Sequence, residues 1–227
     1  MKFLILGLGN FGSSLAMKLT ILGHEVIGVD TNMSKVESLK ERLTHTICLD
    51  CSDPMAVSIL PISETDIAIV AIGEDEGANI MATALMKQLG ARRLISRAVS
   101  PLHETVLEAM GVDEIVHPEE ETADRWAKKL DIKGIIDSFA VSVVYNIVEA
   151  KAPEKYVGRS LKEIGFRRNH NVLVLTTIKY VEEKSALGNI RRIQQVQGVI
   201  SSQTIIEKDD ILVIYGDIKD IKKILEL

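Results

Sequence analysis

The chain has 227 residues, 46% of them hydrophobic and 26% charged, with a formal net charge of −5. This is an ordinary globular balance, long enough for two modest domains that each bury a core. The acidic balance, with Arg191-Arg192 as the densest basic run, excludes a nonspecific nucleic-acid binder, and no apolar stretch approaches the roughly 20 residues that span a bilayer, so a membrane role must run through a partner.

Residues 1–7 form an apolar run broken by glycine and lacking a cleavage site, and they read as the start of a first strand, residues 2–8, not as a signal peptide. Residues 11–22 have helical spacing, with Leu15, Leu19 and Leu22 on one face and Gly23 as a stop. Strands follow at 25–30, 46–50, 66–72, 93–98 and 114–116. Helices separate or follow them at 34–43, after Ser52-Asp53-Pro54, and at 76–89, 102–110 and 119–130. Strands alternating with helices of about ten residues predict right-handed crossovers and a parallel sheet, with the doubly wound order 3-2-1-4-5-6. The low aromatic share, 4%, suits such an aliphatic sheet.

The pattern changes near residue 133. Residues 135–148 are rich in β-branched side chains, 145–150 alternate like a strand, and Ala152-Pro153-Glu154 breaks the run. A short helix at 160–164 and a strand at 172–179 follow. Residues 182–189 read as a polar loop, strands at 204–206 and 211–215 flank Lys208-Asp209-Asp210 as a hairpin, and a helix ends the chain at 217–225. The reading is a nucleotide-binding domain over 1–134 and a small α+β domain over 135–227, joined by a hinge near 133–138.

Gly7-Leu8-Gly9-Asn10-Phe11-Gly12 is a GxGxxG between a strand and a helix. Gly7 permits the tight turn, Gly9 lets backbone approach a pyrophosphate, and Gly12 lets helix pack on strand. The helix N-terminus, at Asn10 and Phe11, offers N–H groups to the anion. Asp30 ends the second strand, where its carboxylate accepts from both ribose hydroxyls and repels a 2′-phosphate. Asp50, Cys51 and Ser52 end the third strand, on the adenine side of such a crevice; contact with base or ribose and a helix cap are both open for Ser52. Ile72 and Gly73 end the fourth strand where a second half would lie, followed by Glu74-Asp75-Glu76, which suits either a cation or a helix dipole. Arg97 ends the fifth strand, in a position either for phosphate or for a surface ion pair. Glu119 follows the sixth, either reaching a phosphate-held metal or capping the next helix.

Cys48 and Cys51 form a CxxC without a second pair and read as two packing cysteines; the absence of a disulfide framework suits a reducing, cytoplasmic compartment. A dehydrogenase needs a proton relay. Tyr-x-x-x-Lys is absent, the five histidines are scattered, and His170 between Asn169 and Asn171 reads as a loop residue. A small NAD-dependent oxidoreductase is therefore the weaker alternative, and a DNA-binding redox sensor lacks a basic recognition helix.

In this order, Gly7 to Gly12, Val29-Asp30, Asp50 to Asp53, Val70 to Gly73, Ser96-Arg97-Ala98 and Gly111 to Glu119 resemble the RCK (regulator of potassium conductance) proteins. The closing stretch Ile205 to Gly216 resembles the end of the companion RCK C-terminal domain. The resemblance is strongest to cytosolic potassium-uptake regulatory subunits of KtrA and TrkA type. It implies a non-enzymatic subunit, cytoplasmic and held at the membrane through a KtrB/TrkH-like potassium-translocating partner. It also implies self-assembly, a homodimer building an octameric ring. ATP or ADP, or alternatively NAD or NADH, would bind the N-terminal crevice, with Arg97 near phosphate and Glu119 holding a divalent cation. Cyclic di-AMP would bind the C-terminal domain near Arg167 and Asn169. Where KtrA-like members often carry Arg, this chain has neutral Asn10, which favours NAD. Where they carry Gly-Asp before the last strand, it has Asp209-Asp210.

Overall fold

Six short, mostly aliphatic strands pair in parallel: β1 (Lys2–Leu6), β2 (Glu25–Asp30), β3 (His45–Cys48), β4 (Ile67–Val70), β5 (Leu94–Arg97) and β6 (Glu114–Val116). Their order is β3-β2-β1-β4-β5-β6, the doubly wound arrangement that the alternation predicts. The computed structural model describes residues 1–184 and 190–226. The connecting helices are α1 (Asn10–Ile21), α2 (Met33–Leu39), α3 (Pro54–Val57), α4 (Glu76–Gln88) and α5 (Pro101–Ala109). β1 is buried on both faces. Leu4 and Leu6 belong to one apolar cluster with Val57, Ala82 and Met86, and Phe3 and Ile5 belong to the other with Ala16, Val36 and Leu39. A strand with solvent on neither side has no reason to alternate, which is why β1 and β4 read as unbroken apolar runs. The order reverses between β1 and β4, and there the strand ends open a crevice.

The chain forms two compact units, Met1–Glu119 and Glu120–Leu227. Helix α6 (Pro118–Asp131) begins at that division. The boundary expected at 134 falls inside the second unit, because α6 is tied there by Arg125 to Asp137, Lys128 to Asn146 and Asp131 to Lys222.

In the second unit, β7 (Ile135–Ala140), β8 (Tyr145–Lys151), β9 (Leu173–Lys184), β10 (Ile190–Val196) and β11 (Ile211–Asp217) form an antiparallel sheet in the order β10-β9-β11-β8-β7. Helices α7 (Leu161–Ile164), α8 (Phe166–His170) and α9 (Ile218–Glu226) accompany it. Val148, Ala150, Leu212 and Ile214 from the sheet and Phe166, Ile221 and Ile224 from the helices make one core.

Three expectations fail here. The hairpin around 208–210 does not form. Ile205 makes an isolated bridge to Ser160, the Ile206 N–H and C=O bond Arg159 and Gly158, and β11 pairs with β8 and β9. The polar segment 182–189 begins as strand, since β9 runs to Lys184, while 185–189 lie outside the described residues. His170 is the last residue of α8, 3.3 Å from the Tyr156 hydroxyl, and not a loop residue.

Candidate functional site

The loop from β1 to α1 is built on two glycines that tolerate no side chain. Gly7 has φ +98° and donates to the Val29 carbonyl at 2.7 Å. A Cβ on Gly12 would stand 1.9 Å from the Gly7 carbonyl oxygen. Gly9 differs: a Cβ there would meet no atom within 4 Å. It is the N-cap of α1 and leaves the first N–H groups without a side-chain cap. In the first unit α2, α3, α4 and α5 are capped by Asn32, Asp53, Asp75 and Ser100. The α1 N-terminus is thus left to whatever anion enters the cleft.

Asp30, 8% exposed, closes the turn from below. Its carboxylate accepts from the Leu8 N–H at 2.7 Å and the Asn32 N–H at 2.8 Å, with Lys35 Nζ 3.8 Å away. A carboxylate has about four acceptor positions, so two remain for a diol. Asp50 accepts from the Ser52 N–H at 2.8 Å and its hydroxyl at 2.6 Å, and these bonds hold its carboxyl below the ordinary range. Ser52 is therefore bonded to Asp50, and Asp53 is the cap of α3. The CxxC splits. Cys51 is buried, and desolvation pushes its thiol up to about 12, leaving it inert. Cys48 is exposed, donating to the Thr31 carbonyl at 3.4 Å, so it is not the packing residue expected.

Across the crevice, the Arg97 side chain is 15% exposed and lies over Gly73, where a Cβ would come 2.3 Å from the guanidinium. It pairs with Glu119 and donates weakly to the Ala71 carbonyl at 3.4 Å, while its buried Nε has no partner. Glu119 therefore faces Arg97. Asp75, from the acidic run, caps α4 by accepting from the Ala78 N–H.

These residues line one cleft of about 440 Å³. Gly7, Gly9, Asn10, Phe11, Asp30, Asp50, Cys51, Ser52, Ile72, Gly73, Arg97 and Glu119 all border it. Gly12 does not, because its part is to let α1 pack on the β1 turn. The sequence reading missed Lys35, also on the lining. Its place in the first turns of α2, five positions past Asp30, was the available signal. Among the described residues no group of three or more His, Cys, Asp or Glu is placed to hold a metal ion, and no helix is long and apolar enough to cross a membrane. A second concavity of about 370 Å³ in the other unit is bordered by Lys162, Arg167 and Arg168. Asn169 is not on it; its amide donates to the Ile164 carbonyl at 2.8 Å.

The fold and crevice define a Rossmann-like α/β unit with an appended antiparallel unit. The TrkA-N domain model matches residues 3–118. Ktr system potassium uptake protein C of Bacillus subtilis (strain 168) is 29% identical over 98% of this chain and 95% of its own length. Ktr system potassium uptake protein A of the same organism is 30% identical over 98% and 94%. The crystal structure of the GsuK RCK domain superimposes with a TM-score of 0.65 at 16% identity, over 100% of this chain and 48% of that one. The GsuK channel bound to NAD gives 0.63 at 16%, over 98% and 38%. This chain thus spans half or less of those solved chains. The chain belongs to the TrkA-N domain family and is an RCK protein of the KtrA type.

Proposed function

We propose that the chain is a nucleotide-binding regulatory subunit, not an enzyme, which gates a potassium-translocating membrane protein of Ktr or Trk type as part of a homo-oligomeric ring. The observation that carries the ligand reading is the uncapped N-terminus of α1, with open space at Gly9 and two free acceptor positions on Asp30. Asp30, Asp50 and Ser52 take the adenosine half, and the α1 N–H groups take the pyrophosphate. Arg97 serves the half that crosses β4. The Asp30 carboxylate disfavours a 2′-phosphate, and neutral Asn10 places no charge against a terminal phosphate. NAD is therefore the first candidate and ADP the second. A divalent cation at Glu119 would take its remaining ligands from bound phosphates. Arg167 with its neighbours supports cyclic di-AMP as the ligand of the second concavity.

Gating then equals the difference in nucleotide affinity between two ring states. The names of the Ktr potassium uptake relatives support the transport setting, and the protein would act from the cytoplasm, held at the membrane by its partner. The test is thermal stability of the full chain with ATP, ADP, NAD, NADH and cyclic di-AMP. A ligand at 100 times its dissociation constant adds about 2.7 kcal/mol if it binds only the folded state. A chain whose unfolding moves with none of them would end the regulatory reading.

A further inference from the structure

Beneath the second half of the cleft lies a polar group that the nucleotide reading does not use. Asn79, on α4, is fully buried, and so are Thr83 and Ser96, with His103 of α5 1% exposed. The Asn79 amide donates to the Ile72 carbonyl at 2.7 Å and to the Arg97 carbonyl at 3.1 Å. Its Oδ1 lies 3.0 Å from Ser96 Oγ, 3.3 Å from Thr83 Oγ1 and 3.2 Å from His103 Nε2. As Oδ1 can only accept, the His103 proton is on Nε2.

Polar groups at this depth cost several kcal/mol unless fully bonded, and apolar neighbours such as Ala82 and Met86 already hold α4 to the sheet. What the amide adds is a fixed position for two carbonyls, one just past β4 and one ending β5. Those carbonyls belong to the cleft wall. Ile72 precedes Gly73, whose missing Cβ leaves the space that the Arg97 guanidinium occupies. Arg97 can lie over Gly73 only while the two strand ends keep their separation.

We infer that Asn79 is a positioning residue for the part of the nucleotide beyond its first phosphate, an inference that rests on the nucleotide reading of the cleft. It touches no ligand and acts through Ile72 and Arg97. The adenosine half, at β1 to β3, lies outside its reach.

Asn79→Asp keeps an acceptor for Ser96, Thr83 and His103 and replaces the two wall donors by none when ionised, or by a single O–H when protonated. Calorimetric titration of the full chain with AMP, ADP and NAD reads the effect. The dissociation constant for the tighter of ADP and NAD should rise about tenfold, while that for AMP stays within about twofold. Thr83→Val, which removes one donor to Oδ1 and leaves both wall bonds, should lower the melting temperature without altering the ratio. Equal weakening of AMP and the longer ligand by Asn79→Asp, or no change in either, overturns the inference. Should that variant not fold, the wild-type side-chain amide resonances of Asn79 decide. They should move with ADP or NAD and not with AMP, and equal movement with both overturns it. A wild-type chain that binds none of the three removes the nucleotide reading itself.

Discussion

At the scale of single residues, the glycines of the β1–α1 turn separate folding from binding. Gly12 sits where a methyl group would strike backbone, 1.9 Å from the Gly7 carbonyl oxygen. That carbonyl cannot move without breaking the turn that Gly7 makes with Val29. Gly12→Ala should therefore destabilise the chain by roughly 3 kcal/mol or more, read by urea denaturation without ligand. Gly9 has ordinary backbone angles, φ −69° and ψ −169°, and open space at its Cβ position. Gly9→Ala should leave stability within about 1 kcal/mol of wild type while nucleotide binding falls steeply, because the methyl group enters the phosphate's path. A stable Gly12→Ala chain, or a Gly9→Ala chain that binds normally, contradicts the division. The sequence motif already gives Gly9 to a pyrophosphate and Gly12 to helix packing; what it cannot show is how near each neighbour stands, backbone at 1.9 Å for Gly12 and nothing within 4 Å for Gly9. Likewise, spacing assigned Asp30 to a ribose. It could not reveal that the same carboxylate holds the Leu8 and Asn32 N–H groups, since those bonds depend on where the chain returns after β2.

At the scale of elements, what was legible followed burial. The parallel strands are legible because the apolar runs of β1, β2, β4 and β5 fill two cores, while the more exposed β3 and β6 show through the alternation with helices; boundaries are off by a residue or two. β10 was not read because Ile190, Ile193 and Val196 recur every third residue, which matches no strand period. The turn before β11 was read as a hairpin because turn residues do not name the strands they connect. The physical reason for the turn is different. Asp209 takes φ +68°, a conformation that suits glycine best, and the buried Asp210 carboxylate accepts from the Glu207 N–H at 2.9 Å. Burial raises the Asp210 carboxyl above its ordinary value. The folded chain thus holds that proton more tightly than the unfolded chain. The stability this gives is full below the ordinary carboxylate range and is lost as pH rises through the raised value. Asp210→Asn keeps an acceptor for Glu207 and cannot ionise. Its denaturation midpoint should exceed that of wild type at pH 7, with the difference closing near pH 4. Parallel pH profiles for the two chains would show that Asp210 does not titrate between them.

At the scale of the whole molecule, the ring proposal rests on a surface that one copy does not cover. In α6, Ala123, Trp126, Ala127 and Leu130 recur at the spacing of a single helix face, and all four are exposed, Trp126 by 54% and Leu130 by 78%. Opposite them lie Asp124 and Lys128, paired with each other, and Arg125, paired with Asp137. The Lys129 ammonium stands 4.8 Å from the Trp126 ring centre, covering only part of it. An apolar stripe on a helix otherwise charged is the geometry of a helix seam, and two copies meeting about a two-fold axis would each supply the same stripe. Fully burying a leucine side chain contributes about 2 kcal/mol, and a two-fold seam counts it twice. Leu130→Lys should therefore lower the mass seen by light scattering at micromolar concentration. Far-ultraviolet circular dichroism and melting temperature should hold steady, since a side chain this exposed supports little of its own unit. An assembly of unchanged mass would remove α6 from the self-contact, and a wild-type chain that is monomeric under the same conditions would remove the ring.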